Sequence, residues 1–327
     1  MKLLSVAATF ATGVAMITSA MALDLDPQLP AYKAVDGLSG QMKSVGSDTL
    51  STLMKQWTDG FKELYPNVKI EVESKGSATA PPALIEGVSQ LGPMSRPMES
   101  GEVDAFSKKY GYGPTSLPVA VDALAVYVNK DNPLECLTLQ QVDQIFSKDH
   151  WNSAGIDVKT WGGVGLTGEW ATKPISLFGR NSESGTYETF KETVLYKGDF
   201  KDDLKQQPDS ATVVKMVAGE KFAIGYSGIG YLTSGVRAVP LAASISSKCY
   251  DTSAESASSG AYPLSRYLYL YLNKDPKQPL SPVAAEFLKY ILSKDGQSGT
   301  VKGGFYPITN ATRIQALQAL GLPADAS

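Results

Sequence analysis

Apolar residues recur at Leu50, Leu53, Met54, Trp57, Phe61 and Leu64, the three-and-four spacing that marks one face of a helix. Residues 68–72 then alternate apolar and polar, the period of a strand with one buried face. Pro81 and Pro82 open a second helical pattern that carries Leu84, Ile85, Val88 and Leu91, as suits proline in a first turn. Further helices are expected over residues 283–292 and, behind a polar turn, along Tyr187, Phe190 and Val194. Alternating strand and helix patterns of this kind predict an α/β fold with mainly parallel sheets.

Two uninterrupted apolar runs stand apart from that alternation. Ala123-Leu124-Ala125-Val126-Tyr127-Val128 ends in Asn129-Lys130-Asp131, and Tyr267-Leu268-Tyr269-Leu270-Tyr271-Leu272 ends in Asn273-Lys274-Asp275, each with a proline close behind. Aliphatic, β-branched and aromatic residues bounded by turn residues read as buried strands. Their matching ends predict a pair of crossover strands, by which the chain leaves one lobe and later returns; coincidence between two core strands is the plainer alternative. On the crossover reading, lobe one comprises residues 24–128 with 262–327, and lobe two is residues 129–261. The Ser/Ala-rich stretch 252–261 is then expected as a surface loop before the return crossing.

The start of the chain changes the picture of where the protein works. Lys2, the uncharged apolar residues 3–17 and Ala20-Met21-Ala22 have the form of an export signal, with cleavage expected after Ala22 and a periplasmic mature protein. The apolar core is short for a membrane anchor, and no cysteine near the site offers a lipid anchor. In an exported protein Cys136 and Cys249 pair by default as one disulfide, with two free thiols as the alternative. His150 is the single histidine, which removes most histidine-based catalysis and most transition-metal sites. The 30 Lys and Arg stand against 33 Asp and Glu, a balance that argues against a nucleic-acid partner. No cofactor is implied, and a monomer is expected.

The chemistry lies in short polar turns, each placed before a helix. Gly46-Ser47-Asp48-Thr49 precedes the helix of Trp57, Gly76-Ser77-Ala78-Thr79 precedes Pro81, and Arg180-Asn181-Ser182-Glu183-Ser184-Gly185-Thr186 precedes Tyr187. A helix N-terminus has unpaired N–H groups and a partial positive charge, so it suits an anion. Hydroxyls add donors, and glycine lets the backbone come close. One such turn alone reads as an ordinary cap; three, one with an arginine able to grip two oxygens, point to a shared oxyanion site. Gly163-Val164-Gly165-Leu166-Thr167-Gly168 matches a dinucleotide pattern but lacks the strand–turn–helix context. Ser298-Gly299-Thr300 runs into Gly303-Gly304 and is expected as a loop.

Several runs together resemble a known family. Ser44-Val45-Gly46-Ser47-Asp48-Thr49-Leu50, Gly92-Pro93-Met94-Ser95-Arg96-Pro97, residues 119–126, residues 178–187 and residues 223–231 are similar to the phosphate-binding proteins of Pst-type ABC importers, the PstS family. The resemblance covers nearly the whole chain after the leader. It implies a two-lobed periplasmic binding-protein fold of type II that closes on phosphate at the hinge and hands it to a membrane permease. Carried over by position, the ligand contacts are Asp48, Thr49, Ser77, Ser95, Arg180, Ser182, Ser184, Gly185 and Thr186, to which Ser47 is added for its own hydroxyl. Well-known members carry an Asp where this chain has Ser95 or Arg96, and another at Ser182. Asp48 is therefore expected to accept the proton of hydrogen phosphate, with Asp122 and Glu183 behind it, and Arg96 is either a second cation or solvent-facing. A receptor for sulfate or molybdate is the first alternative. A secreted phosphatase is the second, and it lacks an evident nucleophile–base pair or metal cluster.

Overall fold

A computed structural model describes residues 25–323 and residue 325, so the export signal read in residues 1–22 lies outside the described residues. The first stretch runs β1 (Gly40–Gly46), α1 (Ser51–Leu64), β2 (Val68–Ser74), α2 (Ala80–Glu86), β3 (Gly92–Met94), α3 (Ser100–Tyr110) and β4 (Thr115–Asn129). The middle adds β5 (Leu137–Thr138), α4 (Leu139–Phe146), β6 (Ser176–Arg180), α5 (Gly185–Thr193) and β7 (Lys205–Gln207). It continues with α6 (Ser210–Gly219), β8 (Ala223–Gly228), β9 (Val236–Ala238), β10 (Leu241–Ala242) and α7 (Ala254–Ser258). The chain returns through β11 (Ser265–Leu272) and ends in α8 (Pro282–Leu292), α9 (Lys294–Lys302) and α10 (Asn310–Ala319).

The central sheet has the order β3-β11-β4-β8-β6-β7. β1 pairs with β2 and meets β3 and the residue before it, where the Val45 and Ser47 N–H groups donate to the Leu91 and Pro93 carbonyls at 3.1 and 2.8 Å. The sheet is mixed rather than mainly parallel. Pairing is parallel in β1/β2, β6/β8 and β6/β7, but β4 is antiparallel to both β11 and β8. The cause is connectivity: one strand leaves the first half of the molecule and its neighbour returns to it, so they run in opposite directions.

β4 changes partner along its length. Its residues 115–123 pair with β11, whereas 124–128 pair with β8, and β9 takes the edge that β11 has left. Buried on both faces from Val119 to Asn129, β4 has little need for polar alternation, which is why it reads as a continuous apolar run.

The helices follow the apolar pattern with instructive exceptions. In α1 the stripe of Leu53, Met54, Trp57 and Phe61 is buried, while Leu64 at its end is 44% exposed. α2 stops at Glu86 because Gly87 turns left-handed (φ 75°), so Val88 is exposed and Leu91 joins the sheet instead of the helix. The Ser298-Gly299-Thr300 stretch is part of α9 and not a loop. Its glycines allow close approach: the Trp57 indole N–H donates to the Gly296 carbonyl at 2.9 Å, and Gly299 packs on the same ring. The 252–261 stretch holds the short helix α7, capped by Ser253. Cys136 and Cys249 form a disulfide beside the parallel β5/β10 pair. No helix among the described residues is long and apolar enough to cross a membrane.

Candidate functional site

All three polar turns meet at one buried place. The first turn follows β1, the second follows β2, and the third joins β6 to α5. Ser47, Asp48, Thr49, Ser77, Ser95, Arg180, Ser184 and Thr186 are each buried. Ser47 Oγ donates to Ser95 Oγ at 3.2 Å, Ser77 Oγ lies 3.2 Å from Ser95 Oγ, and the Ser95 N–H donates to Ser77 Oγ at 3.0 Å. On the other side of the site, Ser184 caps α5 by accepting from the Thr186 and Tyr187 N–H groups at 3.1 and 3.4 Å. The two sides touch through hydroxyls, Thr49 Oγ1 and Thr186 Oγ1 being 3.0 Å apart.

Gly185 opens α5 directly over the serines. A methyl there would fall 2.4 Å from Ser77 Oγ and 2.8 Å from Ser95 Oγ, so only glycine lets the helix N-terminus come this close. The same approach recurs at Gly76, whose φ of 156° and contact with the Glu183 carbonyl exclude a side chain.

Arg180, at the end of β6, is the buried cation. Its Nη2 donates to Asp48 Oδ1 at 2.5 Å and to the Pro208 carbonyl at 3.1 Å, and Nη1 donates to Ser210 Oγ at 2.9 Å. Asp48 Oδ2 accepts from Ser210 N–H and Oγ–H at 3.0 and 2.9 Å. Arg180 Nε is buried and has no hydrogen-bond partner among the described residues. Such a donor is costly unless something supplies an acceptor. Tyr231 steadies the first turn by donating to the Asp48 carbonyl at 2.7 Å, and burial holds its phenol protonated by pushing its pKa up to about 12.

A second buried ion pair lies on the crossover strands. Arg266 of β11 faces Asp122 of β4 in register, with Nε and Nη2 at 2.9 and 2.8 Å from Asp122 Oδ2. Arg96 is neither solvent-facing nor a free cation: it grips Glu102 through Nη1 and Nη2 at 2.7 and 2.8 Å and pairs through Nε with Glu188 of α5. A cleft of about 650 Å³ lies beside it, lined by Arg96, Met98, Thr189, Lys191 and Lys197 among others.

A site of packed hydroxyls, helix openings and paired arginines can be compared with known proteins. The family model described as "PBP superfamily domain" matches residues 32–295. The phosphate-binding protein PstS of Pseudomonas aeruginosa is 52% identical over 322 residues, covering 98% of this chain and 99% of that one. The chain belongs to the PstS family. The protein SphX of Synechococcus elongatus is a more distant relative, 26% identical over 84% of this chain and 79% of its own length. Among solved structures, the ABC-type phosphate transport receptor of Vibrio cholerae superposes with a TM-score of 0.63 at 20% identity, covering 82% of this chain and all of that one. A phosphate-binding protein of Stenotrophomonas maltophilia gives 0.66 at 16% identity, covering 86% and 94%. These two establish the fold: the α/β, two-lobed type II arrangement of binding proteins.

Of the residues expected at the site of this PstS-family chain, Ser47, Asp48, Thr49, Ser77, Ser95, Arg180, Ser184, Gly185 and Thr186 come together. Ser182 does not; it is exposed, as is Glu183. Asp48 is engaged within the protein itself. One of its oxygens is on Arg180 and the other on Ser210. Asp122 is likewise taken up, by Arg266 and by the Ile229 N–H at 3.0 Å. Sequence reasoning missed Arg266, Ser210 and Tyr231. Arg266 had a signal: it shares the strand face of Leu268, Leu270 and Leu272, which are buried, and a charge on a buried face needs a reason.

Proposed function

We propose that this chain is an extracytoplasmic receptor that captures inorganic phosphate between two lobes and delivers it to the membrane permease of an ABC importer. The observation that carries the reading is Arg180 Nε, a buried donor without a partner among the described residues, on an arginine that grips Asp48 of the first turn and itself opens the third. A tetrahedral oxyanion offers the acceptor that this donor lacks, and its remaining oxygens suit the hydroxyls and helix-end N–H groups. The 52% identical relative named for phosphate binding, alike over nearly its whole length, supports phosphate as the anion. The chain is a solute receptor rather than an enzyme, as its family implies.

Lobe one is taken as residues 24–128 with 262–327 and lobe two as 129–261, a division supported by the partner change along β4. The protein works in the periplasm after cleavage behind Ala22, as a monomer, without nucleic acid. Sulfate is the competing ligand, because Asp48 and Asp122 are each held by an arginine and hydroxyls are left as the acceptors for a phosphate proton. Equilibrium dialysis of the mature protein against labelled phosphate, competed with sulfate and molybdate, tests the reading. Saturable phosphate binding that sulfate fails to displace is expected. Displacement by sulfate or molybdate with no retention of phosphate would contradict it.

A further inference from the structure

Arg266 has no assigned role, yet it reaches both sides of the site. From its place on β11 it donates through Nη1 to the Ser95 carbonyl at 3.0 Å, in the turn that also presents the Ser95 hydroxyl. Through Nη2 it donates to Thr186 Oγ1 at 2.8 Å, on the first turn of α5, and Nη1 lies 3.5 Å from Thr189 Oγ1 one turn later. Asp122 fixes the guanidinium from the neighbouring strand, and its other oxygen accepts from Ile229 N–H just beyond β8. The pair is buried, with side-chain exposures of 8% and 0%.

We propose that Arg266, held by Asp122 across the crossover strands, is a positioning residue that orients the Thr186 hydroxyl as a donor and ties α5 to the Ser95 turn when an anion is bound. The chemistry is one of directions. A guanidinium donates and never accepts, so Thr186 Oγ1 accepts from Arg266 and its own proton must point elsewhere. Its free directions are Thr49 Oγ1, 3.0 Å away, and the anion seat. Arg266 thereby sets a hydroxyl, which could serve as donor or acceptor, to donate. It also spans the junction at the strand pair about which the lobes would move, so its bonds to α5 form only when both sides are together. Asp122 cancels its charge, so the effect on the ligand is one of orientation rather than of net attraction.

This inference rests on the phosphate reading above, and the test separates the two. Phosphate is titrated calorimetrically into the mature wild type, R266K and R266Q, and near-ultraviolet circular dichroism before titration confirms that each variant is folded. Failure of the wild type to bind phosphate sinks the underlying reading. If the wild type binds, R266Q is expected to weaken phosphate about tenfold or more, the scale of a lost charged hydrogen bond. R266K keeps the charge but loses the fork that reaches Asp122, Ser95 and Thr186 together, and should recover part of that loss. A purely structural role would lower melting temperature and leave the affinity of the folded protein unchanged. Affinity for folded R266Q within about threefold of wild type therefore overturns the proposal. Should R266Q not fold, R266K decides: weaker phosphate binding than wild type is expected, and affinity equal to wild type overturns the proposal.

Discussion

Arg180 combines two properties that pull against each other: a permanently charged guanidinium and complete burial. It is tolerable because Asp48, Ser210 and the Pro208 carbonyl take up its terminal nitrogens, and only Nε is left without a partner among the described residues. Removing it should therefore do more than remove a ligand contact. Arg180→Ala is expected to abolish measurable phosphate binding and to cost about 3 kcal/mol of stability, since Asp48 is left buried without its cation. Calorimetry and urea unfolding check both, and near-normal affinity would refute the role. Asp48→Asn is expected to loosen Arg180 and weaken phosphate and sulfate by the same factor, because the carboxylate acts on the arginine. A selective loss of phosphate preference, measured as the ratio of the two dissociation constants, would instead make Asp48 the proton acceptor.

At the scale of elements, the site is made by helix openings that three separate strands deliver to one point. This much was legible in the sequence, because Ser, Thr, Asp and Gly before an apolar helical pattern have a local cause in capping and in close backbone approach. Arg266 showed only as a charge on an apolar strand face and Ser210 not at all, because their partners come from which strand lies beside which, a long-range fact that no local pattern encodes. α9 was also hidden: its Gly-Gln-Ser-Gly-Thr sequence has poor helical propensity. Tertiary contact overrides that propensity, since the small residues let α9 lie against Trp57 of α1. Gly296→Ala tests the matching close approach of α9 to α8, since a methyl there would lie 2.2 Å from the Tyr290 carbonyl oxygen. The substitution is expected to cost about 1–3 kcal/mol in urea unfolding while leaving phosphate affinity unchanged. A neutral effect on stability would mean that α9 can move away from its neighbours.

Across the whole molecule, the matched apolar runs are two neighbouring strands, although the runs did not reveal that the pair is antiparallel and that β4 pairs with both β11 and β8. That shared strand joins the two sets of strands into one sheet. The Cys136–Cys249 disulfide closes a segment spanning 113 positions. Replacing both cysteines with alanine is expected to lower stability by about 2–5 kcal/mol without changing phosphate affinity. A fall in affinity that matches the fall in stability would instead couple the disulfide to the site. The central claim is that phosphate sits between the serine turns and α5, with Arg180 beneath it. A crystal structure of the mature protein grown with phosphate tests this most directly. The predicted result is an anion within hydrogen-bond distance of Arg180 Nε and of the Ser95 and Thr186 hydroxyls. An anion bound instead in the outer cleft by Lys191 and Lys197, with Arg180 Nε untouched, would contradict it.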